Sequence, residues 1–191
     1  MPRDRPLSSM AIMVIALLEE QGATHPYELQ QVMLSRGADR YMRLTTGTLY
    51  HTVNRLAEQQ LIRAVGTQCE GNRPERTAYE ATEAGIEALR DRVADLLKTP
   101  ADEHPVFAVA IAEAHHLPAP LIVELLQRRV EHLSEIEALI DSNLASAEAA
   151  GAARRYLLGA HYRKALVTAD LTWTRQLIHD IRTEHLEWEN K

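Results

Sequence analysis

The sequence predicts a mainly α-helical protein with one small β-hairpin. Hydrophobic residues make up 46% of the 191 residues and aromatic residues only 5%. With abundant alanine and leucine, this composition is typical of helical proteins. Apolar residues recur at steps of three and four over most of the chain, which is helical spacing. Two short segments of strand type, separated by Gly71, Asn72 and Pro74, interrupt this pattern and predict the hairpin.

Residues 1–100 follow the order helix, helix, helix, hairpin, helix. Each predicted helix has a residue suited to begin it, namely Ser8 or Ser9, Pro26, Thr45 or Thr46, and Thr82. Leu61–Gln68 and Arg76–Thr82 are the predicted strands. This order is that of a winged helix-turn-helix, in which the third helix enters the major groove of DNA. We therefore expect a DNA-binding domain over residues 1–100.

The third predicted helix has an unusual polar face. Opposite its apolar edge it carries short polar groups, a phenol and a guanidinium, and only one acid: Gly47, Thr48, Tyr50, His51, Asn54, Arg55 and Glu58. A merely solvated face normally carries mixed glutamate and lysine. Asparagine pairs with adenine and arginine with guanine at base edges in the major groove. We expect His51, Asn54 and Arg55 to point outward and to read the DNA sequence, with a solvated face as the alternative.

The start of the same helix is suited to phosphate binding. The hydroxyl groups of Thr46 and Thr48, with the free N–H groups of the first turn, are able to hold a phosphate. Thr46 is alternatively no more than a helix cap. Gly47 is a poor helix former, which suggests a close approach of the backbone to a partner. Arg73 and Arg76 flank the tip of the wing and are expected to reach the minor groove or the DNA backbone.

Charge is unevenly distributed along the chain. The formal net charge of −6 argues mildly against nucleic acid, but residues 1–98 carry −1 and residues 99–191 carry −5. Within residues 36–76, seven arginines face four acids, an excess of +3 around the third helix. We expect Arg36, Arg40 and Arg43 to supply general attraction to DNA; a chance excess is the alternative.

Residues 101–191 form a second predicted domain. A short apolar helix lies near residues 104–120, a long helix covers Leu121–Ala147, and a second long helix covers residues 153–189 after a break at Gly151. The apolar stripe of the last helix is predicted to contain Leu158, Tyr162, Ala165, Ala169, Trp173, Leu177, Ile181 and Trp188. Two such helices expose apolar surface unless they meet a partner. We expect a homodimer through these helices; a compact three-helix monomer is the alternative.

Several functional classes find no support in the sequence. No segment reaches the roughly 18 apolar residues that cross a bilayer, and one cysteine, Cys69, excludes an internal disulfide framework, so a cytoplasmic protein is expected. There is no nucleophile–base pair, phosphate loop or carboxylate dyad, so no enzyme is expected. No metal site or cofactor is predicted, because no histidine pair lies four apart on a helix. His115 and His116 are adjacent and are expected to point to different sides.

Four segments of the chain, in order, resemble the PadR family of bacterial transcriptional regulators: "HPYELQQVM", "TTGTLYHTVNRLAEQQLI", "RPERTAYEATEAG" and "PVFAVAIAEAHHL". The matching family pattern is H-G-Y-E-L, then G-T-L-Y-x-x-L-x-R-L-E-x-x-G-L-I, then R-x-x-x-Y-x-x-T-x-x-G. The chain departs from this pattern at Pro26, Val53, Ala57 and Gln60. Gln60 replaces a glycine that lets the third helix end in a left-handed turn, so the joint to the wing is expected to be either strained or altered.

The resemblance covers the whole chain, including the helical region of the family's larger members. It implies a dimeric protein, in most cases a repressor, that binds a palindromic operator with the third helix and wing. It also implies DNA contacts by Tyr27 and Tyr50, although half-buried packing is an equal role for a phenol. Many such proteins respond to small aromatic or drug-like molecules bound between the domains or at the dimer interface.

Two questions remain open at this stage. His161, Tyr162 and Trp173 are candidates for lining an effector pocket, but aromatic residues at helical spacing are more often core or interface. A winged-helix module that binds only protein is the alternative function. It predicts an acidic or hydrophobic third helix, which the polar face does not match.

Overall fold

The computed structural model describes residues 6–40, 42–68, 76–100 and 103–188. The chain divides into two compact units, Met1–Asp102 and Glu103–Lys191. The predicted fold class is confirmed: a winged helix-turn-helix with one two-stranded sheet, followed by a helical unit. Over the described residues, no helix combines the length and hydropathy needed to span a bilayer.

The N-terminal unit has the predicted order of elements. These are α1 (Ser9–Gln21), α2 (Pro26–Ser35), α3 (Thr46–Glu58), β1 (Ile62–Gln68), β2 (Arg76–Ala81) and α4 (Glu83–Lys98). Helix α1 lies at the centre, where Val14 and Ile15 are fully buried. It contacts α2, α3, α4 and β2, so that its nearly continuous apolar sequence is covered on all sides. The other helices each bury one face against it.

Three of the helices begin at the capping residues that their sequences predict. The side-chain oxygens of Ser8, Thr45 and Thr82 accept hydrogen bonds from the N–H groups of Ala11 (3.3 Å), Thr48 (3.2 Å) and Gly85 (3.1 Å). Each such cap typically contributes about 1 kcal/mol. Local sequence therefore determines where α1, α3 and α4 begin.

The wing is an antiparallel hairpin attached to the core along one strand. Ala64 pairs with Tyr79 and Gly66 with Ala78, so Val65 forms a bulge without a partner across the sheet. On its other side, Tyr79 exchanges two backbone hydrogen bonds with Thr24, in the connection between α1 and α2 (2.9 and 3.0 Å). The base of the wing is thus held between β1 and the α1–α2 connection.

The joint between α3 and the wing takes the left-handed turn despite the loss of glycine. Gln60 has φ +59°, and the N–H of Leu61 donates to the carbonyl of Leu56 (2.9 Å), which closes the end of α3. The Thr82 hydroxyl donates to the carbonyl of Gln60 (2.8 Å), and the N–H of Thr82 to that of Leu61 (3.1 Å). A Cβ atom on Gly85 would lie 2.0 Å from the Leu61 oxygen, so α4 begins directly against this joint.

The C-terminal unit consists of α5 (Val106–Ala112), α6 (Ala119–Ala149) and α7 (Leu158–Arg182), with short 3₁₀ helices at Ala114–His116 and Arg154–Tyr156. Gly151, with φ +79°, ends α6 as expected. Helix α7 is shorter at both ends than the predicted helix 153–189. The chain turns at Thr183 and Glu184, and Trp188 lies beyond the helix, where its indole N–H donates to the carbonyl of Leu117 (2.9 Å).

Over most of its length, the predicted apolar stripe of α7 is not the face that packs on α6. Leu158, Tyr162 and Trp173 are exposed, and so are Ala165 and Ala169. The face packed on α6 carries Leu171, Thr174, Ile178 and Ile181 instead. The prediction followed the aromatic side chains, whereas the buried face is selected by the fit to α6.

A polar cluster joins the three helices of this unit. The Arg129 guanidinium on α6 binds both oxygens of Asp170 on α7 (2.5 and 3.3 Å) and lies 3.4 Å from the centre of the Phe107 ring on α5. Thr174 donates to the same carboxylate (3.1 Å), and Trp173 meets Phe107 edge to face at 6.2 Å. Because Arg129 and Asp170 are mostly buried and paired, loss of either one would leave a charge without its partner.

Replacing Gln60 with glycine is expected to stabilise the protein. The left-handed conformation costs a residue other than glycine about 1–2 kcal/mol. Glycine avoids this strain, but its greater freedom in the unfolded chain cancels about half of the stabilisation. We expect Gln60→Gly to raise the free energy of unfolding by roughly 0.5–1 kcal/mol in chemical denaturation.

The neighbouring glutamine provides a matched control for this prediction. Gln59 has φ −78° and ψ −1°, ordinary helical values, so glycine gives no conformational relief there. We expect Gln59→Gly to lower the free energy of unfolding by roughly 0.5–1 kcal/mol. Equal effects of the two substitutions would show that the turn at Gln60 is not strained.

Candidate nucleic-acid interface

The N-terminus of α3 presents two unpaired backbone donors to solvent. The first backbone bond of the helix runs from the N–H of Leu49 to the carbonyl of Thr45 (3.0 Å), and the Thr48 N–H is capped by the Thr45 hydroxyl. Within the described part of the chain, the N–H groups of Thr46 and Gly47 have no partner, and both residues are exposed. A helix N-terminus with free N–H groups and a positive dipole end favours an anion.

The hydroxyl groups predicted to bind phosphate are engaged within the protein. The Thr46 side chain hydrogen-bonds the Gln30 amide on α2, with an Nε2–Oγ1 distance of 3.1 Å. The Thr48 hydroxyl donates to the carbonyl of Thr45 (2.9 Å) as part of the capping arrangement. The cap of α3 is Thr45, so Thr46 serves as a link to α2 instead. The donors left for a phosphate are therefore the backbone N–H groups of Thr46 and Gly47.

Nothing inside the protein requires a glycine at position 47. Its φ lies outside the left-handed region, and a Cβ built there would meet no atom within 4 Å. Glycine is nevertheless unfavourable in a helix by roughly 0.5–1 kcal/mol relative to alanine. The residue is thus costly to the isolated fold and leaves the helix backbone bare on its outer side.

The polar face of α3 is exposed at every predicted position except Arg55. Tyr50 (44% exposed), His51 and Asn54 face solvent, while Leu49, Thr52, Val53 and Leu56 form the buried side. Tyr27, which is 55% exposed, lies one turn before Gln30 on α2 and hence on the same side of that helix. Because Gln30 bonds Thr46, the phenol of Tyr27 belongs to the surface that surrounds the start of α3.

Arg55 does not point outward as the sequence suggested. Its side chain is half-buried, one guanidinium nitrogen lies 3.4 Å from the Ser8 hydroxyl, and its Nε is shielded from solvent without a hydrogen-bond partner. Ser8 caps α1, so Arg55 reaches across to the start of the central helix. A base contact by Arg55 remains a prediction, and it requires the side chain to leave this position.

Part of the positive charge around α3 is neutralised within the N-terminal unit. Arg36 forms a two-pronged ion pair with Glu20 (2.6 and 2.7 Å), and this guanidinium lowers the pKa of the Glu20 carboxyl below its ordinary value. Arg63 pairs with Glu80 across the hairpin (2.5 Å). Arg43 is exposed. The attraction to a phosphate backbone is therefore weaker than the count of arginines indicates.

The wing tip lies outside the described residues, and with it Arg73 and Cys69. Arg76 begins β2 opposite Gln68, but its side chain also lies outside what the structure describes. The contacts predicted for Arg73 and Arg76 stay predictions.

The predicted effector residues lie on an open surface of α7. His161 and Trp173 line a shallow groove with Lys164, Ala165, Thr168, Ala169, Thr172 and Gln176. Tyr162 is exposed nearby on the same helix. Every lining residue comes from one helix, so the groove is not an enclosed cavity. A groove of this shape is able to bind another helix. It is also able to bind a small ligand if a second structural element covers that ligand.

Sequence reasoning missed the arrangement of the histidines. The rings of His115 and His116 lie 4.2 Å apart at 35°, so the expectation that they point to different sides is wrong. They occupy a 3₁₀ turn, where local geometry rather than α-helical periodicity sets their directions. A second histidine pair, His179 and His185, meets at the turn after α7. No spacing rule signals that pair, because a turn brings it together.

The described elements define a winged helix-turn-helix unit followed by a helical C-terminal unit. Residues 14–91 match the model of the transcriptional regulator PadR-like family, so the N-terminal unit contains a PadR-like domain. The resemblance drawn from the sequence motifs is thereby confirmed.

Solved structures of such regulators share the fold over most of the chain. Bacillus subtilis PadR in complex with operator DNA has a TM-score of 0.76 at 14% identity, covering 93% of this chain and 99% of that one. The same protein in complex with p-coumaric acid gives 0.70 at 12% identity, covering 92% and 98%. A PadR-like regulator from Bacillus cereus gives 0.64 at 13% identity, covering 92% and 99%. Comparison with curated protein sequences gives no match.

Replacing Gly47 with alanine is expected to change stability and DNA affinity in opposite directions. We expect Gly47→Ala to raise the free energy of unfolding by about 0.5 kcal/mol, because alanine is the better helix former. We expect DNA affinity to fall at least about tenfold, which corresponds to about 1.4 kcal/mol, since the methyl group stands where a phosphate approaches. Denaturation and DNA titration by fluorescence anisotropy measure the two effects.

Gly159 is the matched control, because it is exposed and occupies the second position of α7 as Gly47 does in α3. Gly159→Ala is expected to bring a similar gain in stability with unchanged DNA affinity. If Gly47→Ala binds DNA as tightly as the wild-type protein, no close approach occurs at this residue.

Proposed function

We propose that the protein is a cytoplasmic homodimeric repressor that binds a palindromic operator and is released by a small-molecule effector. The observation that carries this proposal is the exposed face of α3, where Tyr50, His51 and Asn54 follow a helix start with two free N–H groups. Bacillus subtilis PadR, which shares the fold, has been solved with operator DNA. That likeness supports the placement of α3 in a major groove.

In this proposal the contacts divide into positioning and reading. The N–H groups of Thr46 and Gly47 hold one phosphate, and the phenols of Tyr27 and Tyr50 contact the backbone beside it. Asn54 and His51 meet base edges, where an asparagine recognises adenine. Arg55 contacts the DNA only after its side chain has moved away from Ser8.

The C-terminal unit supports a dimer because much of its apolar surface is uncovered. Its exposed large hydrophobic residues include Val106, Val109, Leu121, Leu125, Leu139, Leu158, Tyr162, Leu166 and Trp173. A compact three-helix monomer would cover most of these. We infer that residues 101–191 form the dimerisation domain and residues 1–100 the DNA-binding domain. A two-fold pair places two α3 helices in successive grooves, roughly 34–36 Å apart.

Effector release follows from the same geometry. A ligand that binds better to one arrangement of the dimer shifts the population toward it, and DNA binding falls when that arrangement spoils the groove spacing. The groove along α7, with His161 and Trp173, becomes an enclosed site if a second chain covers it. Tyr162 lies on the same helix. The complex of Bacillus subtilis PadR with p-coumaric acid supports a small aromatic acid as the first compound to test.

The competing function is a winged-helix module that binds protein and not DNA. Such a module requires an acidic or apolar α3 face, and the exposed residues of this helix include one acid, Glu58, and no aliphatic side chain. Proteins similar in fold are transcription regulators rather than enzymes, so no catalytic activity is proposed.

Selection from a random duplex pool tests the DNA-binding proposal directly. We expect enrichment of a two-fold symmetric sequence, and a steep loss of affinity with rising salt as counterions return to the DNA. An unenriched pool together with salt-independent binding would favour the protein module.

Asn54→Ala is expected to reduce both operator affinity and sequence discrimination. Loss of a base contact costs about 1–3 kcal/mol, or roughly fivefold to 150-fold in the dissociation constant. Affinity for an unrelated duplex should change little. The control is Asn143→Ala on α6, the same substitution in the C-terminal unit. If Asn54→Ala and Asn143→Ala bind the operator equally well, and bind unrelated DNA equally well, Asn54 makes no base contact.

Leu166→Glu is expected to dissociate the dimer, because Leu166 is 53% exposed on α7 and the substitution buries a charge in the interface. Sedimentation equilibrium should give twice the chain mass of 21.5 kDa for the wild type and the single-chain mass for the variant. The control is Leu34→Glu on α2, where leucine is 44% exposed, and it should remain dimeric. A monomeric wild-type protein contradicts the proposed interface.

A further inference from the structure

The turn after α7 folds one histidine back over another. The N–H of Thr183 donates to the carbonyl of His179 (2.9 Å), and Glu184 takes a left-handed φ of +56°. The N–H of Leu186 then donates to the carbonyl of Asp180 (3.2 Å). As a result, the rings of His185 and His179 lie 6.3 Å apart at 30°. One ligand atom from each of His179, Asp180 and His185 lies within 4.8 Å of the others.

Hydrogen bonding sets which nitrogen of His185 is free. The Thr183 hydroxyl donates its hydrogen to the carbonyl of His179 (2.8 Å), so toward His185 Nδ1 (2.6 Å) it acts as the acceptor. In the tautomer that fits both contacts, His185 Nδ1 carries the hydrogen and Nε2 keeps the lone pair that a metal ion needs. A metal-binding histidine usually donates its other N–H to such a partner. This is the arrangement expected of a histidine that is oriented for metal binding before the ion arrives.

The carboxylate of this group is also held in place. Gln176 Nε2, one turn earlier on α7, donates to Asp180 Oδ1 (2.8 Å), and Asp180 is half-buried. The negative end of the α7 dipole adds to the attraction for a cation. Arg182, in the last turn of the helix, is exposed and opposes it.

We propose that His179, Asp180 and His185 bind a divalent transition-metal ion, with Zn²⁺ as the closest chemical fit. Two imidazole nitrogens and one carboxylate oxygen form a three-residue ligand set that zinc uses in open sites, where water completes the coordination. This proposal is independent of the DNA-binding function, because all three residues lie in the C-terminal unit.

The other histidine group of this unit is a weaker candidate. Glu113, His115 and His116 also lie within 4.8 Å of one another, and His115 Nδ1 lies 3.2 Å from the carbonyl of Ala112. However, its carboxylate on Glu113 is exposed, whereas Asp180 is half-buried, and the Glu113–His116 contact is 3.3 Å long. No hydrogen bond from another side chain orients Glu113 among the described residues. At the α7 turn, Gln176 and Thr183 perform that role.

Metal binding at the turn has a structural consequence for the tail that follows. Three residues after His185, the Trp188 indole donates to the carbonyl of Leu117 and packs against the cluster formed by Ala114, Ile122, Leu126, Ile178 and Ile181. An ion that ties His185 to His179 fixes the path of the chain between α7 and Trp188. Bound metal should therefore hold the tryptophan in its docked position.

The test is a Zn²⁺ titration of the full-length, tag-free protein by calorimetry, with tryptophan fluorescence as the second readout. We expect one ion per chain and a change in the fluorescence that a chelator reverses. His179→Asn and His185→Asn should each weaken binding at least about tenfold. Thr183→Val, which removes the partner of His185, should weaken it about 10–100-fold. His161→Asn, an exposed histidine on the same helix, is the matched control and should bind as the wild type.

Three results would overturn the proposal. The first is no heat and no fluorescence change with Zn²⁺ at several times the protein concentration. The second is full binding by both His179→Asn and His185→Asn. The third is loss of the ion only in His115→Asn and His116→Asn, which would place it at the other group. Circular dichroism of each variant establishes that the helices are retained.

Discussion

The N-terminal unit depends on the contact between the start of α4 and the joint that links α3 to the wing. Thr82 bonds the carbonyls of Gln60 and Leu61, and Gly85 lies so close to Leu61 that no side chain fits. This contact determines the angle at which the hairpin leaves α3. In the DNA-binding proposal, α3 and the wing contact one duplex together, which requires that this angle be held. The strained turn at Gln60 persists because the surrounding hydrogen bonds define it completely.

In the DNA-binding proposal, the start of α3 uses different atoms for helix stability and for phosphate binding. The hydroxyl groups of Thr45 and Thr48 satisfy the end of the helix, and the Thr46 side chain joins α3 to α2. The backbone N–H groups that remain carry no side-chain entropy and already point along the helix axis. A donor of this kind loses little freedom when it binds a phosphate. The glycine at position 47 fits the same logic, because it leaves the backbone accessible at a small cost in helix stability.

The C-terminal unit has a different balance between core and surface. Its buried residues form a narrow seam between α6 and α7, and the Arg129–Asp170 pair with Phe107 connects that seam to α5. The outer faces of the same helices carry several exposed large apolar side chains, among them Leu125, Leu139 and Leu166, between polar and charged ones. A seam of this kind specifies how the helices pair but leaves surface that a second chain can cover. A partner chain or a small ligand that covers these outer faces is therefore able to change the arrangement of the unit.

The order of elements, the helix break at Gly151, the cap of α4 and the choice of two adjacent residues for the caps of α1 and α3 were readable from the sequence, because each depends on residues within one or two turns of one another. The side of α7 that packs on α6, the position of Arg55 against Ser8 and the pairing of Arg36 with Glu20 were not. The meeting of His179 with His185 was also hidden, since a left-handed turn between them reverses the chain. Local hydrogen bonding and periodicity depend on residues that are close in sequence. The direction of a long or charged side chain is decided by which distant group lies within its reach, and only the folded chain determines that.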